Sequence, residues 1–187
     1  MVSSAILYEG KNDRVFIEEF ITHLNFDNNK VQSYIFGGKS NFFDIENQNY
    51  QDLRLDIESS QIEKILFIVD ADDIKNDKLY GGFENTQTAL NKLIQELQFE
   101  AIASSYIMCD PKTQVGYLES FILSTIPEQQ RDCIERFLGC SQFKSKENHK
   151  AILNQIYKIA YPNAPYNFEH SHFDKLKAEL NKLFKTE

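Results

Sequence analysis

The run Lys64-Ile65-Leu66-Phe67-Ile68-Val69, closed by Asp70-Ala71-Asp72-Asp73, constrains this chain more than any other segment. It is too short to cross a membrane, and it lacks the polar alternation of a half-exposed strand. Such a run reads as a strand buried on both faces. That requires a parallel sheet with helices packed on either side. The preceding and following segments obey the same rule. Val2 to Glu9, with the apolar run Ala5-Ile6-Leu7-Tyr8, reads as a first strand. Val15, Phe16, Glu19, Phe20 and Leu24 recur at helical spacing and predict a helix over 13–25, with Asn12 as its N-cap. Val31 to Phe36 predicts a second strand, stopped by Gly37-Gly38. A short helix is expected around 51–60, a longer one over Thr86 to Leu97, and a fourth strand over Ala101 to Met108.

Beyond this point only helical patterns occur, at 116–124, 127–138, 146–161 and 173–184. The expected fold class is therefore α/β. It is a Rossmann-like, mostly parallel four-stranded sheet flanked by helices, with an all-helical C-terminal extension. The α/β domain is expected over residues 1–125, and the extension, packed on it, over 126–187.

Composition narrows the class. A chain of 187 residues with 42% hydrophobic side chains can bury a core without a metal or disulfide staple. Cys109, Cys133 and Cys140 are odd in number and form no C-x-x-C pair, which speaks against a disulfide framework or a zinc cage and for a reducing cytosol. No apolar run approaches the roughly 18 residues of a membrane span, and the N-terminus has no secretory signal pattern. The net charge of -8 excludes purely electrostatic nucleic-acid binding by the chain as a whole. Its distribution is uneven. Residues 1–141 hold 12 basic and 23 acidic side chains, whereas residues 142–187 hold 8 and 5. An anionic polymer would thus be met by the C-terminal part, or through cations bound to the acidic part.

In open parallel sheets ligands bind beyond the carboxyl ends of the strands, where strand order reverses. Glu9 follows the first strand, and Asp70 and Asp72 close the third. If those two strands are neighbours, the three carboxylates converge. Grouped carboxylates repel unless a cation lies among them. All-oxygen donors suit Mg2+ or Mn2+, which would position a water and stabilise the leaving oxygen of a phosphodiester. Glu9 serves this arrangement as a ligand or as an acid/base group. Asp13 is either a further acid of the metal site or a first-turn acid favoured by the helix dipole. Lys11, Gly37, Gly38, Lys39 and Lys112 are the candidates for phosphate or substrate contact. The plain alternatives are turn formation for Asp70, Asp72 and Asp110, surface roles for His170 and His172, and packing for Cys109 and for Tyr157, Tyr161, Tyr166 and Phe168.

Glu9-Gly10-Lys11-Asn12-Asp13 after a first strand, then Asp70-Ala71-Asp72 after a hydrophobic third strand, resembles the Toprim domain. This domain is shared by topoisomerases, bacterial primases, the ribonuclease that matures 5S ribosomal RNA and the overcoming-lysogenisation-defect (OLD) nucleases. The resemblance covers about residues 2–110. Gly37-Gly38-Lys39 and Gly116-Tyr117-Leu118-Glu119 are similar to small stand-alone proteins of the DUF3226 type, related to the OLD nucleases. The resemblance implies Glu119 as an added metal-site acid beside Glu9, Asp70 and Asp72. It also implies a Mg2+-dependent, nuclease-like activity on DNA or RNA. A receiver domain or a dehalogenase-type phosphatase fits less well, because the order of single and paired acids is inverted. The competing expectation is a non-enzymatic or partner-dependent interaction module, for example in a defence system, with a vestigial metal site. A protein partner and a homodimer are both compatible with the sequence.

Overall fold

The computed structural model describes residues 3–140, 155 and 166–185. Apart from residue 155, the helix expected over 146–161 lies outside them, as do Tyr157 and Tyr161. Among the described residues there are four strands: β1 (Ser4–Tyr8), β2 (Val31–Ile35), β3 (Lys64–Asp70) and β4 (Ala103–Met108). All neighbouring pairs are parallel, in the order β2-β1-β3-β4. The helices bounded within the described residues are α1 (Lys11–His23), α2 (Lys39–Phe42), α3 (Gln48–Glu58), α4 (Phe83–Leu97), α5 (Leu118–Leu123), α6 (Glu128–Cys140) and α7 (Asp174–Phe184). The sheet is thus the α/β, Rossmann-like one that the sequence predicts.

Alternation within the strands divides the core in two. Ile6, Tyr8, Leu66, Ile68 and Met108 face one side, where α1, α5 and α7 pack with Phe16, Phe20, Phe121, Leu176 and Leu180. Leu7, Ile65, Phe67, Val69 and Ile107 face the other, against Phe42 of α2, Leu53 of α3 and Leu90 and Leu93 of α4. Burial on both faces is why β3 reads as an unbroken apolar run. Phe168 stacks on Phe20 at 4.6 Å between ring centroids, and Tyr166 meets the edge of Phe16 at 4.9 Å, so both rings pack in the core.

Local details depart from expectation at helix starts. Gly10, not Asn12, is the N-cap of α1, because the Asp13 carboxylate accepts the Gly10 N–H at 2.8 Å. The segment after Gly37-Gly38 contains the additional short helix α2, and α3 begins at Gln48, capped by the Asn47 side chain. Helix α7 contributes Leu176, Leu180 and Leu183 to the same apolar cluster as β1.

Candidate functional site

The strand order places β1 beside β3, with Tyr8 in register with Ile68. The chain leaves β1 for β2 on one side and reaches β3 on the other, so the crevice beyond these two strands is the topological switch point. Glu9 extends the ladder by one residue, its N–H donating to Ile68 O at 3.2 Å. Its side chain turns to β3, where Oε2 accepts the Asp70 N–H at 3.3 Å. Asp70 is buried, and its Oδ1 accepts the Leu118 N–H at 3.0 Å. That bond ties the end of β3 to the start of α5. Glu119, the next residue, is 3% exposed.

Asp72 adopts a left-handed conformation at φ 60°, unusual for a residue with a side chain. Paired backbone bonds with Gly116 hold it there: Asp72 N–H donates to Gly116 O at 2.6 Å, and Gly116 N–H to Asp72 O at 3.0 Å. Gly116 itself has φ 103°, and a Cβ there would stand 2.3 Å from Ser120 Oγ. The loop bearing Asp72 and the loop leading to Glu119 are therefore joined.

Lys39 determines the electrostatics of this turn. It is 8% exposed and begins α2 directly after Gly38. Its ammonium donates to Asp70 O at 2.6 Å and Ala71 O at 3.1 Å, and lies 3.4 Å from Asp72 Oδ2 and 3.3 Å from Thr86 Oγ1. Four oxygens thus surround one lysine nitrogen. The adjacent Gly38 N–H donates to Glu9 O at 3.0 Å, fastening the β2–α2 turn to the end of β1. Gly37 and Gly38 have φ of 77° and 143°, and a Cβ on either would meet no atom within 4 Å. Backbone conformation, not crowding, is what demands glycine there.

The sequence candidates thus divide. Glu9 from the end of β1, Asp70 and Asp72 from the end of β3, Lys39 from α2 and the start of α5, which carries Glu119, meet at the rim beyond the ends of β1 and β3. Asp13 is buried as the capping partner of Gly10. Lys11 and Lys112 are exposed on the α1 start and on the turn after β4. Lys39 points inward, so in this structure its ammonium serves the Asp70–Asp72 turn and not an external phosphate. Asp110 forms the turn read from the sequence, with Oδ1 accepting the Lys112 N–H at 2.8 Å. Cys109 is buried, and burial first, then the charges of Asp110 and Asp70, push its thiol up to about 11. Thr86 is not marked by the sequence, since a threonine at a helix start is too common to signal a site. Gly116 enters the sequence reading as part of Gly116-Tyr117-Leu118-Glu119, but its backbone pairing with Asp72 does not.

A metal fits this site by the chemistry of its donors, which are hard oxygens throughout. It does not fit by arrangement alone: among the described residues, no group of three or more His, Cys, Asp or Glu side chains is placed to hold one. The cation among the oxygens of residues 70–72 is the ammonium of Lys39.

The model of a family described as "Protein of unknown function (DUF3226)" matches residues 3–185. The chain belongs to the DUF3226 family. The match spans the sheet, the rim and α7, so the acidic rim lies wholly within the family's extent. Comparison with curated proteins and with solved structures gives no match. Among the described residues of this DUF3226 protein, no helix is long and apolar enough to cross a membrane.

Proposed function

We propose that this DUF3226 protein is a divalent-cation-dependent phosphodiesterase of Toprim type, related to the OLD nucleases and acting on DNA or RNA. One observation carries the reading: two adjacent parallel strands bring Glu9 into contact with Asp70 at the switch point of the sheet. Glu9, Asp70 and Asp72 would hold Mg2+ or Mn2+, with Glu119 and Asp13 as the further acids proposed for the site. When bound, the ion would supply an activated water and stabilisation of the leaving oxygen. The chain's own residues supply the rest. Lys39 neutralises Asp72 and pins the backbone of residues 70 and 71. The exposed Gly37 and half-exposed Gly38 let a phosphate approach the backbone, and the exposed Lys11 and Lys112 offer cations to the same anion.

The Lys39 ammonium among those oxygens favours a second reading, an interaction module whose vestigial metal site the lysine has replaced. A thermal unfolding series with Mn2+ or Mg2+ separates the two. The enzyme reading expects the metal to raise the melting temperature. It also expects Asp70→Asn and Glu9→Gln to abolish that rise together with cleavage of DNA and RNA. Absence of any divalent response at millimolar concentration would leave the module.

A further inference from the structure

The outer edge of β4 carries a second candidate site. Ile65 N–H donates to Ile102 O, and Ala71 N–H to Met108 O, both at 2.9 Å. The even-numbered residues of β4 therefore turn their backbone groups to β3, and Ser105 and Ile107 turn theirs outward. Among the described residues no strand pairs with that edge. A cavity of about 290 Å3 lies against it. One wall is Phe83 and Gln87 from the first turns of α4; the other is His172 with Lys175 and Glu179 of α7. The cavity borders the acidic rim, for Cys109 lines it and the preceding Met108 is the register partner of Asp70.

The lining has a definite chemical demand. Glu179 Oε1 is taken by Lys182 at 2.7 Å. Its Oε2 is buried and has no hydrogen-bond partner among the described residues. A buried carboxylate oxygen in that state calls for an N–H donor. His172 adds a second acceptor. The Ser124 hydroxyl donates to Phe121 O at 2.6 Å, so at 2.8 Å from His172 Nδ1 it accepts. The imidazole proton then sits on Nδ1, and Nε2 keeps its lone pair. An aromatic wall, a strand edge offering N–H and C=O groups, unspent acceptors and the exposed Lys175 cation match a flat, amine-bearing heterocycle joined to an anion.

We propose that this cavity binds a nucleotide whose base carries an exocyclic amine, the base lying between Phe83 and the β4 edge, the amine donating to Glu179 and the phosphate meeting Lys175. A peptide strand could use the same edge, but it would leave the buried Glu179 oxygen and the aromatic wall unexplained. The inference does not depend on the divalent-ion reading above.

Calorimetric titration of the full chain with AMP against inosine monophosphate, and with CMP against UMP, tests it, since each pair exchanges an amine for a carbonyl. The amine-bearing member is expected to bind about tenfold more tightly, the scale of one satisfied hydrogen bond to a charged group. Glu179→Gln should erase that preference. Lys175→Ala should weaken AMP but leave adenosine unchanged, which protects the test against a Glu179 variant that fails to fold. No binding of any nucleotide at millimolar concentration overturns the proposal, as does a preference that Glu179→Gln leaves intact. If nucleotides bind while Mn2+ has no effect, the proposal stands and the metal reading falls; the reverse result removes only this site.

Discussion

Lys39 and Asp72 form a buried ion pair, each side chain 8% exposed, and neither can lose its partner cheaply. Lys39→Met would remove the ammonium from the Asp72 carboxylate and from the carbonyls of residues 70 and 71, although Ala71 O keeps the Gly82 N–H at 2.9 Å. A loss of about 3–5 kcal/mol is expected in urea unfolding, because breaking a buried pair strands the remaining charge. The double variant Lys39→Met, Asp72→Asn should lose clearly less than the two single losses together, since both changes act on one interaction. If the losses simply add, the pair is not coupled. The acids themselves are legible in the sequence, because a buried strand ending in Asp-x-Asp fixes where those residues emerge. The direction of Lys39 is not. A lysine after two glycines looks the same whether its ammonium meets a ligand or its own chain, and only the position of β3 decides between them.

At the scale of elements, the rim depends on a bond between two loops: the one after β3, bearing Asp72, and the one before α5, ending at Gly116. Gly116→Ala places a methyl group 2.3 Å from Ser120 Oγ at a backbone angle that disfavours side chains. It should cost about 1–3 kcal/mol in chemical unfolding, the usual range for such strain. It should also reduce protection from hydrogen exchange at Asp72 N–H, whose acceptor is Gly116 O. Unchanged exchange at Asp72 would show that the two loops are held by other means. Strands and long helices are readable in advance because burial imposes their periodicity. Helix α2 is not, since Lys39-Ser40-Asn41-Phe42 is too short to show a period. The α1 cap departs from expectation for a related reason: Asn12 is the better capping residue by type, yet the reach of Asp13 back to Gly10 N–H sets the helix start two residues earlier.

For the molecule as a whole, the C-terminal helix is part of the central core. Phe173, fully buried at the start of α7, meets the rings of Phe16, Phe20, Phe121 and Phe168. Phe173→Ala should therefore lower the stability of the entire chain by about 3–5 kcal/mol, in a single transition by both far-ultraviolet and near-ultraviolet circular dichroism. Separate transitions would show that α7 unfolds on its own. The sequence revealed α7 as an amphipathic helix but not its seat, because an apolar stripe shows that a helix docks and not on which face of the sheet. The rim draws on β1, the β2–α2 turn, β3, α4 and the start of α5, elements spread over more than half the chain. No ribosome-bound fragment that stops before α5 contains a complete pocket. Whatever this surface captures, it can do so only after synthesis has passed that helix.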